Sequence, residues 1–125
     1  MDILHYAIFL MSLNLYHEAR GESIEGQIAV CHVVMNRAHD DLYKIEDVIF
    51  KPKQFSWTAV KGLKISNMSA YNKCKDAVLM CLEERKTGIT GDDATHYHTV
   101  YVHPYWANKM EKLYTIGDHI FYKGK

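Results

Sequence analysis

Apolar residues recur at helical spacing through the first part of the chain. Leu4, Ala7, Ile8, Met11 and Leu15 fall at i, i+3, i+4, i+7 and i+11, and Tyr6, Phe9, Leu10 and Leu13 widen the apolar surface nearly all the way round. The pattern predicts a helix over residues 3–20, buried on most sides and therefore central. Gly21 interrupts it. A second helix is predicted from Glu22 or Ser23 to His39, with Ile24, Ile28, Cys31 and Met35 as its stripe. Residues 40–53 read as connection, with one helical turn at 46–50. Lys51-Pro52 closes that turn, because the residue before a proline avoids helical angles. Gln54-Phe55-Ser56-Trp57 reads as extended or loop. A third helix is predicted over 69–86, burying Tyr71, Cys74, Val78, Cys81 and Leu82, with Thr87-Gly88 as its stop.

Beyond Gly91-Asp92-Asp93 the period shortens. Thr95 to His103 reads as a β-rich stretch with Tyr97, Thr99, Tyr101 and His103 on one face, while His96 and His98 share the other. Pro104 opens a short helix, Tyr105 to Glu111. Leu113–Ile116 and His119–Tyr122, joined at Gly117-Asp118, form a closing hairpin. Helices first and a small antiparallel sheet after give an α+β class with three main helices.

Composition narrows this pattern to one ordinary globular domain. The chain has 125 residues, 48% apolar and 24% charged, with no linker, repeat or low-complexity run. Fifteen basic and fifteen acidic side chains cancel, which argues against long-range capture of nucleic acid. Cys31, Cys74 and Cys81 are odd in number and show no C-x-x-C spacing. Cys74 and Cys81 share the third helix, where seven residues rise about 10.5 Å, too far for a disulfide. Three reduced thiols suit a chain that folds in a reducing cytoplasm. The apolar run from Ile3 to Met11 has Asp2 at its head, no basic residue before it and no small-residue cleavage site after it. It reads as a core helix, neither an export signal nor a membrane span.

The densest chemical signal is Tyr16-His17-Glu18-Ala19-Arg20-Gly21-Glu22. Glu18 continues the buried stripe of the first helix, where desolvation favours the protonated carboxyl, and such a group can act as a general acid. Glu22 follows four residues later at the Gly21 break, and Arg20 is turned so that it can brace a loop or a neighbouring carboxylate. The competing reading is two solvated glutamates at helix ends. His17-Glu18 resembles the opening of H-E-x-x-H, but Gly21 stands where the second histidine is needed. His96 and His98 fit either a metal pair lacking a third ligand or the polar wall of a cleft. Cys31 and His32 point about 100° apart on a helix and do not face each other. Neither a glycine-rich phosphate loop nor G-x-S-x-G occurs. Phe55, Trp57, Tyr97, Tyr101, Tyr105 and Trp106 suit a carbohydrate cleft or core packing equally.

Five segments occur in a distinctive order: Tyr16–Glu22; Glu25–Val30 leading to Val33-Val34-Met35-Asn36-Arg37; Gln54–Trp57; Ala94-Thr95-His96-Tyr97-His98; and Val102–Ala107 with Ile116–Tyr122. Together they resemble the cell-wall hydrolase family of the SleB and CwlJ spore-cortex-lytic type, which also occurs in bacteriophage. The resemblance implies a lysozyme-like, lytic-transglycosylase-like fold, with residues 1–125 as a single catalytic domain. It implies cleavage of the β-1,4 bond between N-acetylmuramic acid and N-acetylglucosamine with Glu18 as the catalytic carboxyl. A lytic transglycosylase is expected first. A hydrolytic muramidase with Glu22 as a further acid/base, a metal-dependent wall amidase or peptidase, and a non-catalytic wall-binding module are the alternatives. Glu22 is otherwise expected beside Glu18 in a supporting role, paired with Arg20. Substrate contacts are expected from Gln54, Ser56, Trp57, Thr95, His96, Tyr97 and His98, with no metal or cofactor. The expected partner is the peptidoglycan glycan strand, met as a monomer without membrane insertion. A chain made in the cytoplasm without a signal peptide and acting on the wall after release reads as a phage endolysin. A spore-cortex enzyme is the other source.

Overall fold

The computed structural model describes residues 1–51, Trp57 and 63–124. Helix α1 (Ile3–Ala19) starts where Asp2 accepts a hydrogen bond from the His5 N–H at 2.9 Å. Ala7, Leu10, Met11, Leu13 and Leu15 are almost wholly buried, so α1 is the central helix its pattern predicts. Helix α2 (Ile24–Arg37) is capped by Ser23, and helix α4 (Met68–Lys86) by Asn67. The short helix α3 (Ile45–Phe50) sits where a single turn is expected. Helices α2, α3 and α4 all pack on α1. Among the described residues, four α-helices precede the sheet, with three long ones as anticipated.

Polar side chains on α1 tie distant segments to it. The Tyr16 hydroxyl accepts from the backbone N–H of Ser66 and Asn67, fixing the start of α4. Asn14 is fully buried and accepts from the Trp57 indole N–H at 2.8 Å. Cys31, Cys74 and Cys81 are free thiols in the core between the long helices. Burial pushes the Cys74 thiol up to about 11, and Cys31 is raised by the same cause.

The sheet has strands β1 (His96–Thr99), β2 (Glu111–Ile116) and β3 (His119–Lys123) in the order β1-β3-β2, all antiparallel. Pairing of Tyr97 with Phe121 and of Tyr114 with Phe121 lines the three rings across one face, with centroids 5.7 and 5.3 Å apart. His96, His98 and Tyr122 lie on the opposite face, under Trp106 from a 3-10 turn over Tyr105–Lys109.

Two expected extents are shorter. The strand expected to reach His103 ends at Thr99: the Val100 N–H still meets the Asp118 carbonyl in register at 2.8 Å, but Val102 then bonds back to the Thr99 carbonyl and turns the chain away. Tyr101 and His103 therefore leave the sheet and do not extend the face of Tyr97. The short helix after Pro104 stops at Lys109, because Glu111 already pairs with Lys123.

Candidate active site

Glu18 stands in the last turn of α1, half-buried, and Oε1 accepts a hydrogen bond from the Tyr97 hydroxyl at 2.8 Å. Two elements fix this pair. Gln27 of α2 is 4% exposed, and its amide donates to the carbonyls of Ala19 (3.2 Å) and Arg20 (3.4 Å). It thereby adds a donor to carbonyls at the helix end, of which Ala19 also accepts from the Glu22 N–H. Asn36 donates to the carbonyls of Thr90 and Ala94, and its own oxygen accepts from Arg85, so α2 and α4 hold the segment that leads into β1. A helix end and a strand start, each pinned by a side-chain amide, thus meet at the hydrogen bond from Tyr97 to Glu18.

Electrostatics keep Tyr97 a donor. Burial raises its hydroxyl well above the ordinary tyrosine value, and the Glu18 carboxylate beside it adds to the rise. Arg37 at the end of α2 lies within electrostatic reach of Tyr97, and its guanidinium donates to the Thr95 carbonyl at 3.5 Å. His96 is held below the ordinary histidine range by burial first and then by the charges of Arg37 and Lys51. Its Nδ1 meets the Thr95 hydroxyl at 3.0 Å. Tyr97 thus faces Glu18, while Thr95 and His96 adjoin it along the chain with the His96 ring on the opposite face of the sheet.

Other residues anticipated from the sequence lie elsewhere. Trp57 is 2% exposed, stacked on His17 with centroids 4.8 Å apart, and hydrogen-bonded to Asn14. It is a core anchor with helical backbone, where a loop residue touching substrate was expected. His98 is 8% exposed. Its Nδ1 meets the Thr99 carbonyl and its Nε2 the Tyr122 hydroxyl, so both ring nitrogens are used within the sheet. Among the described residues, no group of three or more His, Cys, Asp or Glu side chains is placed to hold a metal ion. Gln54 and Ser56 lie outside the described residues.

Arg20 and Glu22 do not pair. The Arg20 guanidinium lies over the Tyr16 ring, 4.5 Å from its centroid. Glu22 turns instead toward the β2–β3 hairpin: Oε1 accepts from the Asp118 N–H at 3.0 Å and lies 3.3 Å from His119 Nδ1. The expected contact with Arg20 is replaced because the Gly21 break releases Glu22 from the direction of α1. Sequence reasoning assigned no role to Gln27, Arg37 or His119, although all three stand inside the quoted segments. A polar side chain at an otherwise buried helix or strand position is the signal that would have found Gln27 and His119.

The profile described as Cell Wall Hydrolase matches residues 21–122. The chain is 35% identical over 123 residues to a spore cortex-lytic enzyme of Oceanobacillus iheyensis, covering 93% of this chain and 41% of that protein. It is 33% identical over 121 residues to the spore cortex-lytic enzyme of Bacillus subtilis, covering 91% and 36%. The chain thus spans less than half the length of these relatives. Its fold superposes on the catalytic domain of the germination-specific lytic transglycosylase SleB from Bacillus anthracis with a TM-score of 0.76 at 29% identity, covering 94% of this chain and 93% of that one. The SleB catalytic domain from Bacillus cereus gives 0.77 at 29% identity, covering 95% and 91%. The fold is therefore the lysozyme-like fold of the SleB catalytic domain, and the chain belongs to the cell wall hydrolase family.

Proposed function

We propose that this chain is a peptidoglycan lytic transglycosylase whose acid and base is Glu18. The observation that carries the reading is the anchored carboxyl: Glu18 sits half-buried at the end of α1 with Oε1 held by the Tyr97 hydroxyl. The acid form of this carboxyl carries the proton that the reaction uses. In the first step that proton passes to the glycosidic oxygen, the bond from this oxygen to C1 of N-acetylmuramic acid breaks, and N-acetylglucosamine leaves with a free 4-hydroxyl. The carboxylate then takes the proton of the muramoyl C6 hydroxyl as that oxygen bonds to C1. Glu18 is regenerated and the product is a 1,6-anhydromuramoyl end. One carboxyl serves both steps, so no second carboxylate is required. Thr95 and His96 supply polar contacts to the sugar from the start of β1. Residues 1–125 act as one catalytic domain and as a monomer, on wall or cortex peptidoglycan.

Mass spectrometry of digested peptidoglycan tests the reading. Muropeptides lighter by one water than the reducing form are expected, and Glu18→Gln abolishes their release. A reducing muramic end would make the enzyme a hydrolase. Full release by Glu18→Gln would remove Glu18 from the chemistry.

A further inference from the structure

Glu22 is the one carboxylate near Glu18 along the chain, and its surroundings differ from those of a group that transfers protons to substrate. Its side chain is 12% exposed and His119 beside it 5%. Both Glu22 contacts, the Asp118 N–H at 3.0 Å and His119 Nδ1 at 3.3 Å, are made by Oε1. Gly117 lies against the same oxygen: a Cβ added there would stand 2.5 Å from Oε1, and φ at Gly117 is +56°. The hairpin turn is therefore built around the carboxylate, with glycine where any side chain would expel it. From His119 the contact continues. Its imidazole meets the Tyr97 ring edge to face, with centroids 5.1 Å apart and planes at 83°. Tyr97 in turn donates to Glu18.

We infer that Glu22 is a positioning residue: through His119 it sets the orientation of the Tyr97 ring, and through the Tyr97 hydroxyl it sets the place of the Glu18 carboxyl. The inference rests on Glu18 being the acid and base. The run from Glu18 to Glu22 thus holds one proton-transfer group and one brace for the strand pair opposite it. The two glutamates are joined by the sheet rather than by direct contact. The chain of contacts is Glu22 to His119 to Tyr97 to Glu18, and it links the hairpin turn to the cleft. An orienting contact of this kind fixes geometry for the reaction and leaves glycan binding alone, so it is read in kcat and not in KM.

The test compares kcat and KM on solubilised glycan strands for a small set of variants of the full chain. Glu22→Gln keeps the oxygen that the hairpin uses, so kcat stays within about threefold of wild type, whereas a carboxylate that transfers protons loses about 10²–10⁴-fold as its amide. Glu22→Ala removes the oxygen and lowers kcat about tenfold or more with KM unchanged. Gly117→Ala displaces Glu22 without touching any titratable group and reproduces that loss. In a Tyr97→Phe background, which cuts the path before Glu18, Glu22→Ala and Gly117→Ala have little further effect on kcat. If Glu22→Ala fails to fold, His119→Phe carries the test, since it keeps the ring against Tyr97 and loses only the bond to Glu22. It should fall in kcat in wild type and not in the Tyr97→Phe background. Loss in Glu22→Gln as deep as in Glu18→Gln overturns the inference, as does an undiminished effect in the Tyr97→Phe background. Activity in Glu18→Gln would instead fail the function itself, an outcome separate from either.

Discussion

The Tyr97 hydroxyl, 79 residues along the chain from Glu18, donates to that carboxylate at 2.8 Å across the gap between β1 and the end of α1. A hydrogen bond to a charged partner is worth about 1.5–3 kcal/mol. Tyr97→Phe keeps the ring that packs on Phe121 and removes only the donor, so folding is preserved while the carboxyl loses its anchor. We expect kcat to fall about tenfold to a hundredfold, since each 1.4 kcal/mol of transition-state stabilisation is a factor of ten. KM should hold. Steady-state kinetics beside an unchanged thermal transition would establish this, and an equal loss in KM would assign Tyr97 to glycan binding instead.

The half-buried position of Glu18 was legible in the sequence because the arithmetic that marks it is local. Leu15 is three residues before it and Ala7 eleven, so helical spacing alone puts it on the buried stripe. The partner groups were not legible, because each lies across the chain: Tyr97 for Glu18, and the 117–119 turn for Glu22. Trp57 shows the opposite failure. An indole in a connection suits a sugar platform or a core anchor equally, and only the fully buried Asn14 oxygen that receives its N–H decides for the core. The alternation over 95–99 gave the two faces of β1 correctly. It could not give the end of the strand, which the turn bond from the Val102 N–H to the Thr99 carbonyl sets.

Gln27 holds the carbonyls of Ala19 and Arg20, the two residues that follow the proposed acid. Gln27→Leu fills the same space without a donor, leaving the Ala19 carbonyl with the Glu22 N–H alone and taking the side-chain donor from Arg20. A loss of about 1–2 kcal/mol is expected from the unmade hydrogen bond. Urea unfolding measures it, and amide exchange should show faster opening over 15–20 than over the middle of α1. Uniform exchange along the helix would mean that the amide adds stability without fixing the helix end.

The three thiols are buried to 1% exposure or less. The Cys81 thiol is nonetheless shifted below its ordinary value, by the Cys31 thiol first and then by His32. Ionisation makes a thiol reactive only when a reagent can reach it. We expect no fast reaction with a disulfide reagent in native buffer and three equivalents in denaturant, with native rates that follow the opening of α2 from α4. Rapid labelling of Cys81 in the folded protein would show a route to the core from the surface.

Arg85 joins α4 to the turn after α2, and its bonds to Asp40 make stability depend on acid. Its side chain is 7% exposed and that of Asp40 58%. The guanidinium hydrogen bond, and then its charge, hold the Asp40 carboxyl below its ordinary value of 3.8. A carboxyl lowered on folding contributes stability above its unfolded pKa, and this contribution fades as pH falls through the folded value. Because Asp40 is largely solvated, the amount is below about 1 kcal/mol. Asp40→Asn should therefore unfold at lower urea than wild type near neutral pH, and the gap should close as pH drops below 3.8. Arg85→Met should cost more, about 2–3 kcal/mol, since Asn36 and His32 lose the same buried donor. Part of its loss should persist in acid, because the Asn36 contact carries no titrating group, whereas the His32 Nδ1 acceptor is lost once that imidazole is protonated. A gap for Asp40→Asn that stays constant with pH would mean that Arg85 draws its hold on this turn from Asn36 alone.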